Sequence, residues 1–261
     1  MDAKDIERHG DALYACLRER RTMTPLTDAA PGITIEDAYH ISKRMVGRRI
    51  ADGERIVGKK IGVTSAAVQD MLGVRQPDFG FLTDTMVCDD GGEMPISTQL
   101  IQPRAEGEIA FVLASDLAGP GVTEGDVLAA TSAVHTCFEV VDSRIDDWKI
   151  KIQDTVADNA SCGMYVLGKH GVDPHDVDLK ACAMDVRKNG EPLSSGVGAA
   201  TLGSPLKAVA WLANTLGEWD IPLNAGDVVL SGSLVPLEPV VAGDFMEATI
   251  GGIGKVSVRF V

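Results

Sequence analysis

Apolar residues Ile6, Ala12, Leu13 and Leu17 recur at helical spacing among charges over residues 5–21, which predicts an amphipathic first helix. Thr34 opens a second: Glu36 and Asp37 fill its first turn, Tyr39, Ile41, Met45, Val46 and Ile50 line its apolar side, and Gly53 ends it. From Arg55 onward the texture changes to short β-rich runs separated by Gly, Pro and Asp. Strands are predicted over 55–63, 108–113, 137–141, 228–230, 245–250 and 256–260. Between them, 65–72 reads as a short helix closed by Gly73. Thr123, with Asp126 three residues on, caps a helix running to about Val134. Asn189-Gly190 predicts a type I′ hairpin, because both residues accept positive φ. Ser204 caps a helix with Pro205 at its first position and Val209, Trp211, Leu212 and Leu216 on its apolar side. Residues 76–80 read as a turn and 154–161 as a polar loop. The order is α+β: a helical N-terminal part over residues 1–54 packed on a β-rich core over 55–261.

Charge narrows the partners. The 24 Lys and Arg against 38 Asp and Glu leave a net −14, which a phosphate backbone or an anionic membrane would repel. Hydrophobic residues make up 45% of the chain, a globular proportion that argues against disorder. No apolar stretch approaches the roughly 20 residues that span a bilayer. The charged first segment lacks the apolar run of a secretory signal, so a cytoplasmic location is expected. Cys16, Cys88, Cys137, Cys162 and Cys182 are scattered and contain no CxxC pair, which disfavours a zinc knuckle or a disulfide scaffold.

The segment from Gln102 to Leu113 carries the most chemistry. Side chains two apart on a strand share a face, so Glu106 and Glu108 point the same way, while Ile109, Phe111 and Leu113 take the other. Glu-x-Glu alone also describes the wet face of an edge strand. Glu139 inside the apolar run Cys-Phe-Glu-Val-Val shifts the balance toward burial, and buried carboxylates need a cation. Three oxygen ligands with no His or Cys suit Mg²⁺ or Mn²⁺ rather than zinc. Lys59 and Lys60 are adjacent on a predicted strand, so one points inward if the sheet is covered on that face. There it would hold an anionic substrate or move a proton; the alternative is a solvated pair at a strand end. Asp78 falls in the predicted turn, where an Asx bond is the plainer role. Gly196-x-Gly198 lacks the last glycine of a dinucleotide fingerprint, and Gly251 to Gly254 lies in a terminal hairpin. Ser204-x-x-Lys207 has nucleophile spacing, but capping accounts for its serine.

Five segments in order, GKKIGVTS (58–65), QPDFGFLTD (76–84), QPRAEGEIAFVL (102–113), FEVVDSRIDDWKIKIQDTVADNASCG (138–163) and LSGSLVPLEPVVAGD (230–244), resemble the hydratase/decarboxylase family of the fumarylacetoacetate hydrolase superfamily. The likeness runs from about Thr24 to the C-terminus. It implies a mixed β-sheet roll with a helical N-terminal part, and a divalent metal, Mg²⁺ or Mn²⁺, on Glu106, Glu108 and Glu139. It also implies Lys60 and Asp78 as catalytic residues, with Leu82, Arg104, Ser161 and Ser233 near the substrate. The expected reaction is hydration of 2-hydroxypenta-2,4-dienoate to 4-hydroxy-2-oxopentanoate in the meta-cleavage breakdown of aromatic compounds. The sister activity, decarboxylation of 4-oxalocrotonate, shares the three glutamates and the VADNAS stretch. It typically goes with Leu-Lys-Met-Gly and Pro-Ile-Tyr-Gly, where this chain has Lys59-Lys60-Ile61-Gly62 and Pro77-Asp78-Phe79-Gly80. Those segments and Ser161-Cys162-Gly163 side with hydration. The resemblance further implies a homo-oligomer, as a pentamer or decamer, and association with the decarboxylase. A purely non-catalytic partner of that enzyme would be expected to lose a glutamate ligand or Lys60, and this chain keeps all four.

Overall fold

A computed structural model describes residues 1–261. Helix α1 (Ala3–Glu19) is capped by Asp2, whose side chain accepts from Asp5 N, and ends at Arg20 in the left-handed region. After the short α2 (Leu26–Ala29), Thr34 and Asp37 form a reciprocal capping box that starts α3 (Ile35–Ala51). The Arg44 guanidinium grips Asp11 through two bonds of 2.9 Å, pinning α3 along α1.

The strands follow as β1 (Ile56–Gly62), β2 (Asp78–Thr83), β3 (Val87–Cys88), β4 (Glu93–Met94), β5 (Arg104–Leu113), β6 (Thr131–Val141) and β7 (Met164–Leu167). They continue with β8 (Ala183–Lys188), β9 (Glu191–Val197), β10 (Val228–Ser233), β11 (Glu238–Pro239), β12 (Phe245–Ile250) and β13 (Gly254–Phe260). The remaining helices are α4 (Ala66–Leu72), α5 (Ile96–Gln99), α6 (Glu124–Ala130), α7 (Ile152–Ala157) and α8 (Pro205–Gly217). One mixed sheet runs β2-β1-β10-β5-β6-β7-β3, with β11 added to β5; a second runs β4-β13-β12-β8-β9. β1 lies parallel to β10, which needs a long crossover and brings residue 60 beside residue 230. Strands β12 and β13 pack against β6, closing the second sheet onto the first.

The main core of 52 buried residues includes Leu13 and Ile41 of the N-terminal helices together with Phe111, Phe138 and Phe260 of both sheets. The N-terminal helices therefore share one core with the sheets. Tyr39 of α3 makes the join explicit, stacking on Phe79 of β2 at 4.3 Å between ring centroids. No helix is long and apolar enough to cross a membrane.

Several expectations need correcting. The helix begun at Thr123 stops at Ala130, because residues 131–141 form β6 and pair with β5 along its whole length. Asp78 does not lie in a turn; it opens β2, every residue of which is buried. The polar stretch 154–161 is no surface loop but the buried end of α7 followed by a tight turn. Ser204 makes no side-chain cap to α8; its Oγ donates to Glu124 instead, at 2.8 Å. The two lysines are not a solvated pair. Both are buried, on opposite faces of β1: Lys59 Nζ donates to Asp227 Oδ2 at 2.5 Å on the side of the main core. Asn189 and Gly190 do take φ of 54° and 86°, as the hairpin requires.

The Lys59–Asp227 pair is sealed, so removing one partner strands a buried charge. Asp227→Ala should lower unfolding free energy by about 3–5 kcal/mol in urea titrations. Because Lys59 faces away from the glutamates, turnover per folded molecule should stay near the parent value. A large fall in turnover at unchanged stability would contradict this placement.

Candidate metal centre and active site

Register alone assembles a polar cluster on one face of the first sheet. Glu106 on β5 lies directly opposite Glu139 on β6, and Glu108, two residues along, lies opposite Cys137 and Ser233. Lys60 of β1 shares a sheet row with Gly80, Leu230 and Ala110, so it projects from the same face. Oxygen atoms from Glu106, Glu108 and Glu139 all lie within 4.8 Å of one another. Lys60 Nζ stands 3.3 Å from Glu139 Oε1. Glu108, Glu139, Lys60 and Asp78 are buried, while Glu106 keeps partial exposure and marks the side from which the cluster is reached.

Burial and mutual repulsion hold these carboxyls above their ordinary range. Glu106 is pushed up to about 7, by loss of hydration and then by Glu139, with Lys60 pulling the other way. Glu108 is raised further by burial and its two glutamate neighbours, and burial raises Glu139 against the pull of Lys60. Burial opposes the charge of Lys60, but Glu139 and the surrounding groups outweigh it, and the ammonium is held above its usual value. One lysine cannot balance three carboxylates.

The polar accounting shows the same deficit. Glu108 Oε2 accepts from Gly232 N at 2.8 Å, but Glu108 Oε1 and Glu139 Oε2 are buried without a hydrogen-bond partner, and Glu139 Oε1 has only the Lys60 ammonium at 3.3 Å. Buried orphan oxygens are costly. Converging in one place as a hard, all-oxygen set, they fit a divalent cation of the Mg²⁺ class.

Asp78 owes its position to the absence of a side chain at Gly62. A Cβ there would sit 2.3 Å from Asp78 Oδ1 and 3.4 Å from Lys60 Nζ. Burial holds the Asp78 carboxyl up, Lys60 opposes this, and Oδ1 has no partner. Thr155 Oγ1 lies 3.5 Å from Asp78 Oδ2 and 3.3 Å from Ser161 Oγ, linking the two. Ser161 ends a turn in which Asn159, Ala160 and Ser161 all have φ near +50°, a conformation non-glycine residues adopt only when held. Two devices hold it. The Asn159 amide accepts from Phe81 N and donates to Phe81 O, at 2.8 and 2.9 Å, acting as one more rung on the edge of β2. Arg144, fully buried, donates to Asp158 Oδ1, Asp158 O and Cys162 O at 2.5, 2.6 and 3.0 Å.

The other expected positions divide. Arg104 shares the Glu106 and Glu108 face, with its guanidinium 4.7 Å from the Trp148 ring centroid and no carboxylate partner. Ser233 Oγ donates to Val235 O at 2.6 Å, shaping the end of β10 opposite Glu108. Leu82 packs with Met86, Ala110, Cys137, Cys162, Tyr165 and Leu230 in a small apolar cluster beside the acidic one. Burial pushes both the Cys137 and Cys162 thiols up, which makes them poor nucleophiles. Thr155, Gly62 and the Arg144–Asp158 pair were not anticipated. The available signal was Asp-Ser-Arg directly after an apolar strand, a charge placed where the chain is still in the core.

The sheet topology and the all-oxygen cluster agree with the family to which the chain belongs. The model of the fumarylacetoacetate (FAA) hydrolase C-terminal family matches residues 57–261, and the chain belongs to that family. It is 61% identical over 260 residues to a 2-hydroxyhexa-2,4-dienoate hydratase of Comamonas testosteroni, covering 99% of this chain and 98% of the relative. It is 66% identical over 221 residues to a 2-hydroxypent-2,4-dienoate hydratase of Pseudomonas putida, covering 85% and 100%. Among solved structures, 4-oxalocrotonate decarboxylase from Pseudomonas putida G7, complexed with magnesium and adipate, superposes with a TM-score of 0.96 at 36% identity, over 100% and 99% of the two chains.

The raised Glu106 has a signed consequence. Its folded value of about 7 exceeds its ordinary 4.5, so its contribution to stability is full below about 4.5 and lost as pH rises through about 7. Binding a cation to the ionised cluster must therefore expel protons near neutrality. Titrating Mg²⁺ into metal-free protein at about pH 6.5 should give heats that vary with buffer ionisation enthalpy, corresponding to net proton release. Buffer-independent heats would refute the electrostatic picture. Separately, Gly62→Ala should displace the Asp78 carboxyl and lower turnover on the order of 100-fold while metal affinity stays within a few-fold.

Proposed function

We propose that the chain hydrates 2-hydroxypenta-2,4-dienoate, or a close homologue, to the 4-hydroxy-2-oxo acid, as a divalent-metal-dependent hydro-lyase of aromatic catabolism. Two hydratases at 61% and 66% identity, against 36% for the decarboxylase, support this reading. The observation that carries the chemistry is the convergence of Glu106, Glu108 and Glu139 with unpartnered oxygens beside Lys60.

Hydration requires loss of the C2 enol proton, protonation at C5, addition of water at C4 and protonation at C3. Mg²⁺ or Mn²⁺ on the three glutamates would supply Lewis acidity toward the substrate's 2-oxo acid oxygens. Lys60, fixed in its charged form by its neighbours, stabilises negative charge developing on the C2 oxygen. Burial raises the Asp78 carboxyl above its ordinary value against the pull of Lys60, and Asp78 serves to take and return protons at the carbon skeleton. Thr155 and Ser161 orient that carboxyl. Arg104, with no carboxylate of its own, draws the anionic substrate toward the exposed side of Glu106, and Leu82 and its apolar neighbours back the hydrocarbon end. The reading includes a cytoplasmic homo-oligomer, in which exposed apolar side chains such as Met71 and Val241 become covered, and association with the decarboxylase.

The test is an ultraviolet assay of freshly generated dienol with Mg²⁺ or Mn²⁺ and, in parallel, with EDTA, identifying the product by mass. Metal-dependent loss of the dienol with gain of one water is expected. Glu106→Gln should weaken metal binding and turnover together, whereas Lys60→Ala should lower turnover by about 10²–10⁴-fold with metal binding largely kept. Carbon dioxide from 4-oxalocrotonate, without hydration, would assign the sister reaction.

A further inference from the structure

Two cavities lie apart from the acidic cluster and Lys60. One, of about 260 Å³, lies where the end of α1, α3, the β2–β3 turn and α5 meet the start of β7. Its wall holds three arginines, Arg18, Arg20 and Arg49, against a single carboxylate, Glu54. In a chain of net charge −14 this is a local reversal of sign.

The arginines are only partly spent. Arg49 is 6% exposed; its Nε donates to Glu54 at 2.7 Å and its Nη2 to Thr83 and Thr85 at 3.0 and 3.3 Å, which leaves Nη1 without an acceptor in the chain. Arg18 uses Nη2 alone, toward Asp52 and Glu54, both at 2.7 Å. Arg20 has no carboxylate partner; its Nε and Nη2 meet the carbonyls of Ser97 and Leu100. The three guanidinium groups outnumber Glu54, and with Asp52, bonded to Arg18, counted as well, the wall keeps one net positive charge. Glu54 is itself fully engaged by Arg18, Arg49, Thr83 and Thr85 and has no capacity to neutralise more. A buried guanidinium with a free N–H, two exposed ones beside it and a small half-open cavity form a receptor for oxygen anions, since arginine forks match such groups in geometry as well as charge.

We propose that this cavity is a second binding site, distinct from the acidic cluster, for one small oxyanion, either phosphate or the carboxylate end of a short organic acid. Met86 belongs both to the cavity wall and to the apolar cluster with Leu82 and Cys162, so an occupant would rest against the back of the catalytic face.

Calorimetric titration of metal-free protein with inorganic phosphate and, separately, malonate tests the proposal, at constant ionic strength set with chloride. One saturable site per chain is expected, and the anion that binds more tightly identifies the source. Arg18→Gln and Arg20→Gln should each weaken it by roughly tenfold or more, while Glu106→Gln leaves it unchanged. Absence of saturable heat with both anions would overturn the proposal, as would binding that survives both arginine variants or is altered by Glu106→Gln. Should the arginine variants fail to fold, anomalous diffraction from crystals of the parent protein soaked in selenate decides: density among Arg18, Arg20 and Arg49 supports the site, and its absence refutes it.

Discussion

Glu106 and Glu139 face each other across adjacent strands, and nearly everything around them answers the electrostatic problem this creates. Two carboxylates at a directly opposed pair of β positions repel, and a third one step along the same strand compounds the cost. Burial removes the water that would screen them. The chain supplies partial remedies: the ammonium of Lys60, the Gly232 amide on Glu108, and the proton that a raised Glu106 retains. None of these satisfies Glu108 Oε1 or Glu139 Oε2. Such an arrangement is destabilising taken by itself, and a divalent ion bound there would turn the same charges into ligands.

The rest of the fold serves to keep that cluster narrow and rigid. Lys60 reaches it only because β1 is inserted parallel to β10, and Asp78 reaches Lys60 only because β2 pairs back onto β1 over a glycine at position 62. β2 is an edge strand, yet its edge is occupied by the Asn159 side chain, which takes up the backbone groups of Phe81. Arg144 and Asp158 hold the turn that carries Asn159 and Ser161. A buried ion pair of this kind adds little net stability, but it selects one backbone conformation from several, and that is what three consecutive left-handed residues require.

Much of this was legible from side-chain alternation. The shared face of Glu106 and Glu108 follows from a period of two, and the apolar flanks of Glu139 mark it as interior. The α+β order and the caps at Thr34 and Thr123 follow from local chemistry. What local pattern could not supply was cross-strand register. Nothing in residues 58–62 shows that both lysines are covered, because that depends on Asp227, 168 positions away from Lys59. Asp78 was misread for the same reason: Gln-Pro-Asp has turn chemistry, and only pairing with Gly62 makes it a strand. Likewise 131–134 follow a capped helix without a break, and it is β5 that draws them into a strand.

The parallel β1–β10 pairing also fixes the order in which function can arise during synthesis. Lys60 is made early and Glu106, Glu108 and Glu139 by mid-chain, but β10 (Val228–Ser233), the strand between them, is among the last parts to leave the ribosome. Until it is inserted, β1 has no route to β5, and the acidic face lacks its lysine. Loop closure over that separation makes this a topology of high contact order, whose decisive contacts form late. From mid-chain until β10 arrives, the nascent chain thus carries an unneutralised acidic strand pair, and any cation captured in that interval would meet ligands before it met a pocket.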